Sequence, residues 1–381
     1  MKSFFRIISS MLLLAALACQ VGALAPTPTA IPSPVPTIAP SATPLPPTVP
    51  PPSPTPSGPV IDASNAAGLA PRFVIPATVN DLKRIAFSPD GRLLATTSGG
   101  SSQSFDYAVR LWNPAEGTLV FTLEGHSGIV WDVAFAPDGR WLASVSDDKT
   151  LRVWDTRAGV PAQVANLPGA ANSVIFSRDG ASLVVGVALG KDGLLYTYDL
   201  ASGTLSGGYA AHAYSVPSLA LSPDGGALVS LGTVDRTIKV WITGTLEAGP
   251  VKTFSLGGQG GNVVFSPDGG LAAAGICAKS TAKFICTQGE AWLWRLSDGV
   301  RAVDMLGPTG KVQSVAFSPN GQLLAGGATD NSIWIWRIAD GQPVTRLSAH
   351  RTFLESVAFS PDGRLLASSS TDGTLIIWAV R

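Results

Sequence analysis

From residue 82 onward the chain alternates short apolar runs with tight polar turns. Val133-Ala134-Phe135 leads into one turn and Trp141-Leu142-Ala143 leaves it, with the period-two alternation of half-buried strands. The turn itself recurs: Ser88-Pro89-Asp90-Gly91, Ala136-Pro137-Asp138-Gly139, Ser177-Arg178-Asp179-Gly180, Ser222-Pro223-Asp224-Gly225, Ser266-Pro267-Asp268-Gly269, Ser318-Pro319-Asn320-Gly321 and Ser360-Pro361-Asp362-Gly363. Proline presets φ at the second position, Asp or Asn suits the third, and glycine supplies the positive φ that returns the chain. Arg178, where the others have proline, is expected to loosen its turn without removing it. The first and last copies lie 272 residues apart, a mean period of about 45. A third run in each repeat ends in an aromatic: Trp112, Trp154, Tyr198, Trp241, Trp294, Trp336 and Trp378. Six residues before each stands Asp106, Asp148, Asp192, Asp235, Gln288, Asp330 or Asp372. A fixed offset across loops of different length marks a repeated structural unit.

These residues resemble WD repeats over about 82–381, with the literal Trp-Asp pair at Trp154-Asp155. The resemblance implies an all-β, seven-bladed β-propeller with four strands per blade. The three histidines fall at Gly125-His126, Ala211-His212 and Ala349-His350, where that family has its Gly-His. The resemblance therefore implies hydrogen-bonded tetrads of His126, Ser144, Asp148 and Trp154, and of His350, Ser368, Asp372 and Trp378, with a looser set of His212, Ser230, Asp235 and Trp241. On residue type alone His, Ser and Asp also suit a catalytic triad. Recurrence around the ring favours a structural network, since a catalytic centre needs one copy. No phosphate loop, metal-ligand cluster or activated nucleophile stands out, so no enzyme activity, cofactor or metal is expected.

Arg381 follows the third strand of the last repeat, so that blade needs a strand from elsewhere. Arg72-Phe73-Val74-Ile75 is expected to supply it and close the ring. Loops between second and third strands share one rim, and two are enlarged. One carries Phe105 and Tyr107. The other spans Ala278 to Gln288, with Cys277 and Cys286 at its base, either a disulfide staple or two free thiols. Trp131 sits five residues after His126, and Lys83, Asn172, Pro217, Gly261, Gln313 and Glu355 hold the same place in the other repeats, Phe353 lying two before the last. Trp131, Phe353, Glu355, Lys83, Lys311, Gln313, Phe105 and Tyr107 are the candidate partner-binding rim; Trp131 alternatively packs between blades. Lys83-Arg84 and Lys311 read as a solvated basic spot, Asp147-Asp148 as a solvent-facing acidic pair, and Trp141, Trp292 and Trp334 as core. A flat aromatic rim would indicate a protein scaffold, and a polar funnel with perturbed acids a small-ligand receptor.

The N-terminus reads as an address. Lys2 and Arg6 precede an apolar run from Ile7 to Ala18, which at 1.5 Å per residue spans about 18 Å, short of the roughly 30 Å hydrocarbon core. Ala16-Leu17-Ala18 is a cleavage signal, so residues 1–18 are expected to be a signal peptide. With Cys19 next, the segment resembles a bacterial lipoprotein, which implies lipidation of Cys19; the alternative is a plain secreted protein. Residues 19–60 form the stalk: Pro26 to Pro59 holds 15 prolines and ten Ser or Thr in 34 residues. Such a segment cannot build a core and spans up to about 105 Å as polyproline II. Residues 61–381 are the propeller.

Composition narrows the function. Lys plus Arg and Asp plus Glu are both 26, and 14% of residues are charged. A neutral, charge-poor chain is a poor match for nucleic acid, which needs many cations on phosphates. The expected protein is a monomeric, extracytoplasmic scaffold bound to its membrane through the lipid anchor only. A receptor or enzyme acting on a small ligand or glycan at the rim or channel is the rival, and an envelope-assembly accessory the third reading.

Overall fold

A computed structural model describes residues 58–76, 81–99, 106–282 and 285–381. The segments expected to be a signal peptide and stalk, up to Ser57 and including Cys19, and the loop residue Phe105 lie outside the described residues. Among the described residues, twenty-eight strands form seven four-stranded antiparallel sheets, the blades of a propeller. Strand β1 is Leu69–Pro76; β2–β5 span 82–123, β6–β9 130–166, β10–β13 170–213, β14–β17 218–255, β18–β21 259–305, β22–β25 312–347, and β26–β28 354–380. Blades one to six each use four consecutive strands, innermost first.

The seventh blade takes its outer strand from the other end of the chain. Leu69 pairs with Val380 and Pro76 with Thr374, with a bulge between Pro71 and Phe73. Proline is tolerated there because an edge strand leaves one row of N–H groups unused. Ahead of β1, Ile61 donates its N–H to the Gly363 carbonyl at 2.8 Å. Ile61, Ala66 and Leu69 are buried between blades six and seven with Leu323, Ile333 and Leu366.

The core is divided among the blade interfaces. Between blades one and two it comprises Ala95, Val109, Leu111, Leu123, Val130, Val133, Leu142 and Trp154. Second strands are covered on both faces, which is why Leu94–Ser98 and Leu366–Ser370 are buried throughout. Outer strands such as Val160–Asn166 alternate instead. Trp141, Trp292 and Trp334, expected in the core, are half-buried, each beneath a guanidinium: Arg140 at 4.4 Å, Arg301 at 3.5 Å and Arg346 at 5.7 Å from the ring centroids. An amphipathic indole at a blade edge is served by an arginine that caps its face and reaches water.

The recurring turns occupy one end of the propeller. Ser88 Oγ donates to Asp90 Oδ1 at 2.6 Å, Gly91 N–H donates to the Ser88 carbonyl at 2.9 Å, and Gly91 has φ 71°. The Arg178 turn is not loosened. Ser177 Oγ to Asp179 is 2.5 Å, Gly180 N to Ser177 O is 2.9 Å, and Gly180 has φ 71°. Serine, aspartate and glycine close this turn, so proline contributes preset φ without being required.

Candidate functional site

The tetrads hold the loops of the opposite end. In blade two, Trp154 Nε1 donates to Ser144 Oγ at 2.8 Å, Ser144 Oγ lies 2.8 Å from His126 Nε2, and His126 Nδ1 lies 2.8 Å from Asp148 Oδ2. Burial holds the imidazole below its ordinary pKa, against the pull of Asp148. Burial raises the Asp148 carboxyl, but the Thr150 hydroxyl and the Ser127 N–H outweigh it, and the group stays below its usual range. A neutral imidazole beside a carboxylate fixes the direction of the chain: Trp N–H to Ser, Ser O–H to His Nε2, His Nδ1–H to Asp. Of the pair expected to face solvent, Asp147 is exposed and accepts the Trp131 indole N–H at 2.7 Å, whereas Asp148 is enclosed.

Blade four has the same network at the same lengths. His212 lies 2.9 Å from Asp235 and 2.8 Å from Ser230, and Trp241 donates to Ser230 at 2.8 Å. Blade seven differs. His350 Nδ1 bonds Thr374 Oγ1 at 2.9 Å, and Asp372 stands 3.5 Å away, its Oδ1 accepting the Thr374 hydroxyl at 2.5 Å. Ser368 still joins His350 at 2.7 Å and Trp378 at 2.9 Å. Ser144, Ser230 and Ser368 are fully buried. Their hydroxyls are sealed from solvent and serve to tie strands together.

The face opposite the turns, the loop face, is where each inner strand begins. Two aromatic side chains are exposed here. Phe353 is 55% exposed in the connection into blade seven, and Tyr214 is 48% exposed in the connection into blade four. These are the exposed aromatics among the described residues. Tyr214 has φ 67°, a left-handed conformation costly for a bulky residue, and is held there by its N–H bond to the Lys191 carbonyl at 2.8 Å. Tyr214 is not among the expected rim residues, although it lies two residues after His212, much as Phe353 lies three after His350. The enlarged blade-five hairpin, Leu271–Ser280 with Cys286–Arg295, carries a disulfide between Cys277 and Cys286, Cα atoms 5.7 Å apart, and exposes Ile285 near its tip.

Inside that rim the equivalent positions of all seven blades meet. Lys83, Trp131, Asn172, Pro217, Gly261, Gln313 and Glu355, with Arg84 and Ser215, line one cavity of about 240 Å³ at the mouth of the central channel. Lys83 is not solvated. It lies 2.8 Å from Asp81 and 3.4 Å from Glu355, with its ammonium 5.7 Å from the Trp131 ring centroid. Burial lowers its pKa, but Glu355 and Asp81 more than compensate and hold it above its ordinary value. Burial pushes the Glu355 carboxyl up and the half-buried Lys311 ammonium down to about 8. Arg84 is likewise paired, with Asp132 at 3.1 Å. Lys83 and Arg84 of the expected basic spot are therefore ion-paired, not solvated. Of the other expected rim residues, Tyr107 packs half-buried against the core between blades one and two.

The family model described as "WD domain, G-beta repeat" matches residues 71–113, 117–155, 203–241, 301–337 and 341–379. Among curated proteins, the chain is 32% identical over 143 residues to eukaryotic translation initiation factor 3 subunit I of Neosartorya fischeri, covering 37% of this chain and 40% of that protein. The protein of the same name from Aspergillus fumigatus aligns over the same shares. Autophagy-related protein 16 of Arabidopsis thaliana is 27% identical over 193 residues, covering 50% of this chain and 35% of that protein. The chain thus spans well under two thirds of the curated relatives it matches.

Proposed function

Because the chain belongs to the WD40 family, whose model matches just over half of it, we propose that it is a protein-interaction module that docks its partner on the loop face. The observation that carries this reading is the pairing of Tyr214 and Phe353, exposed aromatics on that one face. Exposed aromatic rings supply large contact area with little rotamer entropy to lose, and they dominate binding energy at interfaces. The left-handed backbone at Tyr214 adds support, since such strain persists where a side chain must be presented in one direction. Among the described residues, Ile61 meets the turn face, its N–H on the Gly363 carbonyl at 2.8 Å.

The test is capture of partners by the full chain beside a Tyr214→Ala, Phe353→Ala variant. Each truncation at a hot spot weakens binding by about 1–2 kcal/mol, so the pair is expected to lower affinity by roughly 30-fold or more. Equal retention by the two proteins would remove the loop face from the interface.

The same reading places the protein outside the cytoplasm as a monomer, exported by residues 1–18 and anchored through lipidated Cys19. The n-region, apolar run and Ala16-Leu17-Ala18 signal support export. So does the Cys277–Cys286 disulfide, which an oxidising compartment sustains. Two or more acyl chains give stable anchoring, so the mature protein is expected in the detergent phase of a phase partition and Cys19→Ser in the aqueous phase. A wild-type protein found in the aqueous phase would eliminate the anchor.

A further inference from the structure

The exposed aromatics leave the centre of the loop face unexplained. The mouth cavity of about 240 Å³ ends at Arg84. A second cavity of about 520 Å³ continues toward the turn face, and Arg84 lines both. Its guanidinium is a fixed floor. Nε donates to Asp132 Oδ1 at 3.1 Å, and Nη2 reaches across the channel to the Pro217 carbonyl at 3.4 Å. Asp132 is itself pinned by the N–H groups of Val133 and Val174, each at 3.0 Å. A guanidinium has five N–H donors, and these two bonds leave most of them for a ligand.

Acceptors also lack partners. Asn172 Oδ1 is buried without a donor, although buried polar groups are nearly always satisfied. Glu355 gives one oxygen, Oε1, to Lys83. The charges of the cluster balance: Lys83, Arg84 and Lys311 against Asp81, Asp132 and Glu355. A lone anion would meet Glu355, a lone cation would meet Arg84 and Lys83, and an apolar ligand would leave Asn172 unsatisfied. The volume equals about eight waters at their liquid share of roughly 30 Å³ each, which suits a small metabolite.

We propose that the channel mouth is a binding site for a small zwitterion of amino-acid size, with its carboxylate on the Arg84 guanidinium and its ammonium held by Glu355 and Asn172 Oδ1, against the Trp131 wall. Arg84 offers donors to a planar carboxylate in the geometry that makes such pairs strong. Binding satisfies the buried Asn172 acceptor and leaves the charge balance of the cluster unchanged. This site does not depend on a protein docking at the rim.

Titration calorimetry of the full chain with each of the twenty free amino acids tests it. At least one is expected to bind one-to-one with a Kd below about 1 mM. The amine and the acid that share its side chain, each lacking one charged group, are expected to bind at least roughly tenfold more weakly. Arg84→Met strands the buried Asp132 carboxylate and endangers folding, so the deciding variants are Asn172→Ala and Glu355→Gln, each expected to weaken binding by about tenfold or more while the melting transition is retained. Absence of heat with all twenty at about 10 mM overturns the proposal, as does wild-type affinity in both variants or an amine that binds as well as its amino acid. Loss of protein capture at the rim leaves these titrations untouched, so the two readings fail separately.

Discussion

Deleting residues 58–76 is expected to lower the melting temperature by about 10–20 °C or to prevent folding. The segment fills the interface between blades six and seven with Ile61, Ala66 and Leu69. Burying a large aliphatic side chain contributes about 1.5–3 kcal/mol, so Ile61 and Leu69 together account for about 3–6 kcal/mol. The ladder from Leu69–Val380 to Pro76–Thr374 adds backbone hydrogen bonds. Removing it also bares the edge of the last strand, Leu375-Ile376-Ile377-Trp378, an apolar template for pairing with other chains. At roughly 2–4 °C per kcal/mol for a large domain, a loss of about 5 kcal/mol gives the stated shift. Ile61→Ala alone is expected to cost about 2–5 kcal/mol. Calorimetric melting of wild type, deletion and point variant decides the matter. An unchanged transition in the deletion would mean that β1 does not hold the ring closed.

Acid is expected to destabilise the propeller already above the ordinary carboxylate range, with a slope of up to about 4 kcal/mol per pH unit once the pH falls below about 6.5. The cause lies in the three buried histidines. Burial depresses the pKa of His126, His212 and His350, each opposed by its aspartate. The unfolded chain binds protons at these sites near pH 6.5, while the folded state resists them to lower pH. Stability is therefore fully present above that value and is lost as the pH falls toward the depressed values. Each site contributes at most about 1.36 kcal/mol per pH unit, and three give the slope. Asp148 and Asp372, held low by their hydrogen bonds, extend the loss in the same direction below the carboxylate range. Denaturant unfolding at pH 7.5, 6 and 5 measures the slope. Replacing one histidine, as in His212→Gln, should remove about a third of it. Equal stability at all three pH values would show that these imidazoles titrate alike in folded and unfolded chains.

Much of this molecule is legible without coordinates, because its information is local and periodic. A turn that needs a positive φ announces itself by glycine, and seven such glycines at a near-constant period count the blades. The tetrads are legible for a related reason. His126, Ser144, Asp148 and Trp154 lie within one blade, joined by hairpins, so a fixed spacing in sequence becomes a fixed spacing in space. Trp141 is capped by the adjacent Arg140, but for the other two half-buried tryptophans the deciding neighbour belongs to a different strand of the blade. The half-burial of Trp292 depends on Arg301 lying across its ring from the next strand, and that of Trp334 on Arg346, which no alternation of apolar residues reports.

The sequence by itself determined the number of blades, the turns, the strand that closes the ring and the tetrads of blades two and four, while in blade seven Thr374 takes the place beside His350 expected of Asp372. The turns follow from residue type at a set offset within one repeat, and the blade count and tetrads from those offsets together with the resemblance to WD repeats. The tertiary structure alone decided that Lys83 is neutralised by Glu355 from the far end of the chain, that Arg84 reaches Pro217 across the axis, and that seven equivalent positions enclose one cavity. Those contacts arise only when the ring closes. Closure brings together residues separated by one, three or six repeats, and burial then sets their charge and leaves Asn172 without a donor.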